Sequence, residues 1–576
     1  MKPINTYYAN INLDLLNRIP LSAQNVLEIG CGQGKLGASF KGRQPLSKYF
    51  GIELMPNEAQ IAATNLDGVM CANIELEHQL PKKFLTQTNS EILFDALVLG
   101  DVLEHLIDPW KLLHEAHQWM APTSTCIICI PNVGHWSVVQ QLLKGRFDYA
   151  EAGLLDKTHL RFFTLETAAE MLRQAGWTVV EATPRTFQPE KTQEALNAIM
   201  PIAKSMNLNE AKLKRDLTAF QWVIRAVKGV APSAMCVGAM GLKKFAGVTE
   251  ARVDYPLTAL NSLVGNRCVW GYGGISIPQD FKPGVLILHR QFMNDAGFNA
   301  RMEKLIQDGW TLVADMDDDP HHWRQFVESD FYAYRAVHAI TVSSLHLANM
   351  IVSWNPHVKV FPNAVMSLPL MSPEVAIKKA NSLRVFFGAL NRKSDWLPIM
   401  SAICEAAVQL EGKIEFVVVH DKEFYDALPL QCLKIFHPTL DHAQYMEVLS
   451  TCHVALLPLN DTPFNRCKSD IKLIECAAAG LAVICSKVVY AEDARHELFV
   501  NFATNPQDWR NALLHLAQNP NDLIHRQNTG LQYVKTHRMH AQQVLERDCF
   551  YRGLMENRAQ LEEDRQSRLK QIKFSL

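Results

Sequence analysis

Three glycines at alternate positions, Gly30, Gly32 and Gly34, follow the short apolar run Val26-Leu27-Glu28-Ile29. Such a turn lets the backbone come close to a cofactor, because no Cβ stands in the way. About 20 residues further on, Tyr49-Phe50-Gly51-Ile52-Glu53 reads as a second strand ending in a carboxylate. An acid at that distance from a glycine turn can accept both hydroxyls of a ribose. The spacing G-x-G-x-G differs from the dinucleotide fingerprint G-x-G-x-x-G. In the second half, Asp315-Met316-Asp317-Asp318-Asp319 gathers four carboxylates at a strand end. Acids on such a loop can bind magnesium together with a diphosphate.

Behind these groups stands an alternation of short β runs and helical segments. Strands are expected at 26–30, 48–53, 68–72, 94–100 and 124–130, with a closing pair at 177–182 and 221–227. Such alternation builds a parallel sheet covered by helices, with ligands at the carboxyl ends of the strands. Residues 1–24 read as helical, 132–164 as a lid and 186–218 as a helical insertion. Two more α/β units follow, with strands at 233–239, 285–289, 311–314, 339–344 and 358–363, then at 384–388, 415–420, 433–436, 454–458 and 482–485. From Gln542 to Lys573 the chain reads as one long charged helix.

The chain has 576 residues, 48% hydrophobic and 20% charged, with net charge −2. That length implies two to four domains. The charge gives no reason to expect nucleic acid as a partner. No apolar run approaches the roughly 18 residues of a membrane span, so a cytoplasmic protein is expected, with peripheral membrane contact open through the C-terminal segment. The 13 cysteines are dispersed, as free thiols are in a reducing compartment. Cys126 and Cys129 fall on opposite faces of a strand and share no metal.

The glycine loop, Glu53 and Phe94-Asp95-Ala96-Leu97-Val98-Leu99-Gly100-Asp101-Val102-Leu103-Glu104-His105 together resemble the class I S-adenosylmethionine-dependent methyltransferases. The likeness runs on through Ile130–Trp136 and Gly153–Thr164, covering roughly residues 20–230. It implies cofactor contacts from Glu28, Gly30, Cys31, Gly32, Gly34, Glu53, Leu54, Asn73, Ile74, Gly100 and Leu103. Glu53 would take the ribose, and Asn73 would stand where the family often has an aspartate against adenine. Transfer to a hydroxyl needs positioning and a proton acceptor. The candidates are His105, His135 and His159, with Asp156 to orient one of them.

The run Asn465-Arg466-Cys467-Lys468-Ser469-Asp470-Ile471-Lys472-Leu473-Ile474-Glu475, continuing through Gly480 into a β run, resembles the donor site of retaining glycosyltransferases with the two-domain GT-B fold. The likeness covers roughly 232–540. It implies that Glu475 holds the ribose of a nucleotide-sugar and that Lys468, Arg392 and Lys393 face its diphosphate, with Pro362-Asn363 at the hinge. Many members carry a second glutamate eight positions before the first, and here that position is Cys467. With cations already at hand, no metal is expected. Asp317 and Asp318 would face the sugar-transfer cleft.

The expected architecture is α/β throughout, a Rossmann-like methyltransferase domain followed by two Rossmann-like domains of a GT-B glycosyltransferase. The boundaries are 1–230, 231–375 (acceptor side), 376–539 (nucleotide-sugar side) and 540–576 (helical tail). The expected function is methyl transfer, to a sugar hydroxyl, plus glycosyl transfer, in synthesis of a bacterial polysaccharide or glycoconjugate. Its cofactors would be S-adenosylmethionine and a nucleotide-sugar, and its acceptor a glycan. Two alternatives stand beside it: a methyltransferase joined to a degenerate carbohydrate-binding scaffold, and a non-catalytic platform that docks glycan enzymes through its tail.

Overall fold

The computed structural model describes residues 11–77, 93–369 and 382–570. The chain divides into two compact units, Met1–Ala234 with Asn261–Gly265, and Met235–Leu260 with Asn266–Leu576.

The first unit is built on a seven-stranded sheet. Its strands are β1 (Asn25–Ile29), β2 (Lys48–Glu53), β3 (Gly68–Cys71), β4 (Phe94–Gly100), β5 (Met120–Pro131), β6 (Trp177–Arg185) and β7 (Gln221–Lys228). They lie in the order β3-β2-β1-β4-β5-β7-β6. The first five are parallel, and β7 runs antiparallel to both β5 and β6. Covering both faces with helices turns the central strands into continuous apolar runs, and Ala96, Leu97, Val98 and Leu99 are wholly buried. The chain order reverses between β1 and β4, which opens a crevice at their carboxyl ends. Residues 1–10 of the expected N-terminal helix lie outside the described residues, and of its described part Leu13–Leu16 is helical.

The second unit holds two six-stranded sheets, both wholly parallel. The first comprises β8 (Met235–Gly241), β9 (Asn266–Tyr272), β10 (Val285–His289), β11 (Thr311–Met316), β12 (Ala339–Val342) and β13 (Val358–Val360), in the order β13-β12-β11-β10-β8-β9. The second comprises β14 (Leu383–Gly388), β15 (Ile414–Val419), β16 (Leu433–His437), β17 (Val454–Leu457), β18 (Ala482–Cys485) and β19 (Val500–Phe502), in the order β16-β15-β14-β17-β18-β19. The strand β9 was not foreseen. It is an edge strand, mostly half-buried, so its apolar signal is diluted.

The tail departs from expectation. It is two helices, His540–Glu556 and Arg558–Lys570, and residues 571–576 lie outside the described residues. They are packed into the second unit. Buried Arg565 forms a two-pronged pair with Glu303, Arg568 donates to the Val337 carbonyl at 2.7 Å, and Arg547 lies 4.0 Å from the Phe361 ring centre. Such contacts tie down a helix that the sequence left free for docking.

Candidate active site

The crevice of the first unit begins at the glycine turn. Gly30, Gly32 and Gly34 all adopt positive φ, 73°, 52° and 72°. A Cβ on Gly30 would meet Val102 Cγ2 at 2.5 Å, so both backbone angle and space demand glycine there. Gly30 N–H donates to the Ile52 carbonyl at 2.8 Å, which seats the turn against the end of β2. At that end, buried Glu53 accepts from Gly32 N–H at 2.8 Å and from Met55 N–H at 2.9 Å. Each carboxylate oxygen keeps a further lone pair for a ligand. Glu28 is buried in β1 and accepts from the Tyr49 hydroxyl at 3.1 Å. Burial pushes its carboxyl up to about 8, against the pull of that hydrogen bond. Positive-φ glycines, a pinned acid at the second strand and a switch-point crevice fit the adenosyl and ribose parts of S-adenosylmethionine.

Other residues assigned to the cofactor divide. Leu54 is 60% exposed and Ile74 is buried beside the crevice strands. The side-chain carbonyl of Asn73, expected against adenine, accepts Glu75 N–H at 3.0 Å. Cys31 packs on Gly51, where a Cβ would lie 2.5 Å from its sulfur. Leu103, on the short helix Leu103–His105, is buried in the apolar core together with Ile29, Leu99 and Ile74. Gly100 has a packing reason to be glycine, as its Cβ would press on Leu15 at 2.8 Å.

The three histidines also divide. His135 is the cap of the helix Trp136–Leu143, its Nδ1 2.8 Å from the Ser137 hydroxyl and its ring against Phe220. Burial lowers it to about 4. His105 and His159 instead meet, with ring centres 4.9 Å apart. Backbone bonds bring them together: the Glu104 carbonyl accepts from Leu160 N–H at 2.8 Å and Arg161 N–H at 3.0 Å. Asp156 does not orient a histidine directly. It accepts from the Thr158 amide and hydroxyl at 2.8 and 2.7 Å, and the Thr158 carbonyl and hydroxyl each lie 3.2 Å from His105 Nδ1. Glu104, which its residue type and spacing do not single out, joins the two histidines: one ligand atom from each of the three residues falls within 4.8 Å of the others. The adjacent Glu104-His105 pair was visible in the sequence; His159, 54 positions on, was not visibly its neighbour.

In the second unit, polar groups collect around the carboxyl ends of both sheets. The four acids at the carboxyl end of β11 and in the loop that follows each have a partner. Asp315 pairs with buried Arg252 at 2.6 Å, Asp317 with Arg290 at 2.8 Å and Asp318 with Lys468 at 3.1 Å, while Asp319 caps the turn at His321. Asp317 is held well below the usual carboxylate range. Burial opposes that shift, and the Arg290 charge overcomes it. Asn363 accepts from Arg252 at 3.0 Å and donates to the Ser469 hydroxyl at 2.8 Å. Arg392 donates to Asn465 at 2.8 Å and to Asp395 at 3.1 Å. Lys393, expected beside it, departs from that assignment: it is 62% exposed and pairs with Glu423 at 2.6 Å.

Glu475 sits buried in the helix Ile471–Ala478 and binds His442 Nε2 at 2.8 Å, while His442 Nδ1 lies 3.0 Å from the Tyr255 hydroxyl. Lys472, which its place in the run does not single out, donates to the Gly388 carbonyl at 2.8 Å, at the end of β14. Cys467 is wholly buried among apolar side chains, and burial pushes its thiol up to about 12.

The fold and crevice of the first unit define a Rossmann-like α/β domain. A family model described as a methyltransferase domain matches residues 5–182. The ubiquinone biosynthesis O-methyltransferase of Xylella fastidiosa (strain 9a5c) is 24% identical over 197 residues, 32% of this chain and 74% of the relative. That of Thiobacillus denitrificans is 24% identical over 184 residues, 30% and 72% of the two chains. Among solved structures, a possible histamine N-methyltransferase from Thermotoga maritima has 18% identity and TM-score 0.25, covering 39% of this chain and 96% of that one. The plantazolicin methyltransferase BpumL, in complex with SAH, has 17% identity and TM-score 0.25, covering 39% and 89%. The N-terminal part of the chain is a class I S-adenosylmethionine-dependent methyltransferase domain.

Proposed function

We propose that the N-terminal domain methylates a hydroxyl of a glycan or glycoconjugate and that the second unit transfers a sugar from a nucleotide-sugar to the same class of acceptor. The observation that carries the methyl-transfer half is the Glu53 carboxylate, anchored by two backbone amides beside three positive-φ glycines. S-adenosylmethionine, when bound, supplies an electrophilic methyl group on sulfur. Gly30, Gly32 and Gly34 give its adenosyl part backbone contact, and Glu53 takes the ribose hydroxyls. Proton-accepting capacity for an acceptor hydroxyl is concentrated in the His105–His159 pair. The O-methyltransferase relatives support oxygen as the methylated atom.

The glycosyl-transfer half rests on two wholly parallel sheets with Arg392, Lys468 and Lys472 near one strand junction. Cations there suit a diphosphate. A second reading has specific support: Lys468 is already paired with Asp318, Glu475 with His442, and Cys467 is a core residue. On that reading the second unit holds a glycan without transferring sugar. Calorimetric titration with S-adenosylmethionine and with a panel of nucleotide-sugars tests both, on wild type, Glu53→Ala and Glu475→Ala. Each variant should bind only its own ligand more weakly. Binding of the methyl donor with no nucleotide or nucleotide-sugar bound would favour the scaffold.

A further inference from the structure

Glu104 is 1% exposed, and neither of its carboxylate oxygens has a hydrogen-bond partner among the described residues. A buried, unpaired acid must either keep its proton or find a compensating charge. Among the described residues no lysine or arginine pairs with it. What lies beside it is a pair of imidazoles: one ligand atom from each of Glu104, His105 and His159 falls within 4.8 Å of the others. The outer nitrogens are already assigned. His105 Nδ1 faces the Thr158 carbonyl at 3.2 Å and His159 Nδ1 faces the Leu154 carbonyl at 3.3 Å. A ring that donates its Nδ1–H to a carbonyl keeps the lone pair on Nε2, as metal-binding histidines do.

We propose that Glu104, His105 and His159 form a binding site for a divalent first-row transition-metal ion in the methyltransferase domain. Two imidazoles and one carboxylate favour zinc, cobalt or manganese over magnesium, which prefers oxygen ligands throughout. Three protein ligands leave at least one position for water or a further oxygen. This goes beyond the methyl-transfer reading, on which binding of the ion does not depend. A second step does rest on that reading: an acceptor hydroxyl that takes the open position becomes more acidic, because the cation stabilises the oxyanion left when its proton passes to solvent. The ion then does what a free imidazole base would otherwise do, and both histidine lone pairs are spent on holding it.

The test uses the untagged full-length protein, stripped with chelator and titrated with Co²⁺ alone. The expected result is one Co²⁺ per chain with a ligand-field absorption band, displaced by an equivalent of Zn²⁺. Glu104→Gln is nearly isosteric, and with His159→Ala it should weaken Co²⁺ by more than the roughly 10- to 100-fold typical of losing an outer-shell partner. Glu53→Ala should leave Co²⁺ binding unchanged. Unaltered circular dichroism and S-adenosylmethionine titration of Glu104→Gln exclude misfolding as the cause. Failure of wild type to bind Co²⁺, or equal binding by wild type and both variants, overturns the proposal. Loss of S-adenosylmethionine binding in wild type, with Co²⁺ still bound, would instead strike the methyl-transfer reading and leave the ion site standing.

Discussion

Replacing Glu53 by alanine should weaken S-adenosylmethionine binding by about 10- to 100-fold. The carboxylate spends one lone pair of each oxygen on Gly32 N–H and Met55 N–H, at 2.8 and 2.9 Å. The remaining lone pairs are free for ribose hydroxyls. A hydrogen bond to a charged group contributes roughly 1.5–3 kcal/mol. At about 1.4 kcal/mol per tenfold, losing the equivalent of one such bond gives the stated range. The alanine variant also leaves Gly32 N–H without its acceptor, at a cost of roughly 1–3 kcal/mol wherever water cannot replace it. The variant should therefore melt earlier than wild type even without ligand. Glu53→Gln separates the two effects. It keeps one oxygen for one amide, but turns an NH₂ towards the other N–H donor, so it should lie between wild type and alanine in both readouts. Calorimetry gives the dissociation constant and thermal melting the stability. An alanine variant that binds S-adenosylmethionine within about twofold of wild type would refute the assignment of Glu53 to the ribose.

Three further outcomes follow from particular contacts. Gly30→Ala forces a side chain onto φ 73° with its Cβ 2.5 Å from Val102 Cγ2, and should cost about 1–3 kcal/mol and weaken methyl-donor binding; denaturant titration showing no loss would mean the turn can relax. Arg252→Ala leaves Asp315 buried without its cation, where the two side chains are 1% and 3% exposed, and should destabilise the second unit by about 3–5 kcal/mol; urea unfolding measures it, and a loss under about 1 kcal/mol would show that Thr341 alone can hold the charge. The His442–Glu475 bridge should matter most in mild acid. Burial lowers the His442 affinity for a proton, but the hydrogen bond and charge of Glu475 overcome this and raise it above the usual 6.5. A raised folded value means the stabilisation is full below about pH 6.5 and is lost as the pH climbs through that higher value. The stability gap between wild type and His442→Gln should accordingly be wide at pH 6 and narrow by pH 9; a gap independent of pH would show the pair is held as a neutral hydrogen bond.

The sequence makes the sheets legible because parallel strands covered on both faces must be apolar along their whole length. Leu97 to Leu99 and Phe416 to Val419 are such runs, and they are wholly buried. The glycine turn and Glu53 are legible for a related reason: they lie on adjacent strands, so a spacing of about 20 residues brings them to one end of one sheet. Residues that meet through loops are another matter. Arg392 and Lys393 are neighbours in the chain and equivalent by charge, yet Arg392 turns to Asn465 and Asp395 while Lys393 turns to Glu423 at the surface. His105, His135 and His159 share a residue type and a stretch of chain, yet what unites two and excludes the third is the Glu104 carbonyl, which accepts Leu160 N–H and Arg161 N–H. Those backbone bonds depend on no side chain, so no pattern of residue types announces them. The carboxylate of the same residue is left buried beside the two imidazoles, without a hydrogen-bond partner among the described residues. A backbone clamp and an unpaired acid on one residue are together what gather two scattered histidines into one cluster, and this is why that cluster had to wait for the fold while the glycine turn and Glu53 did not.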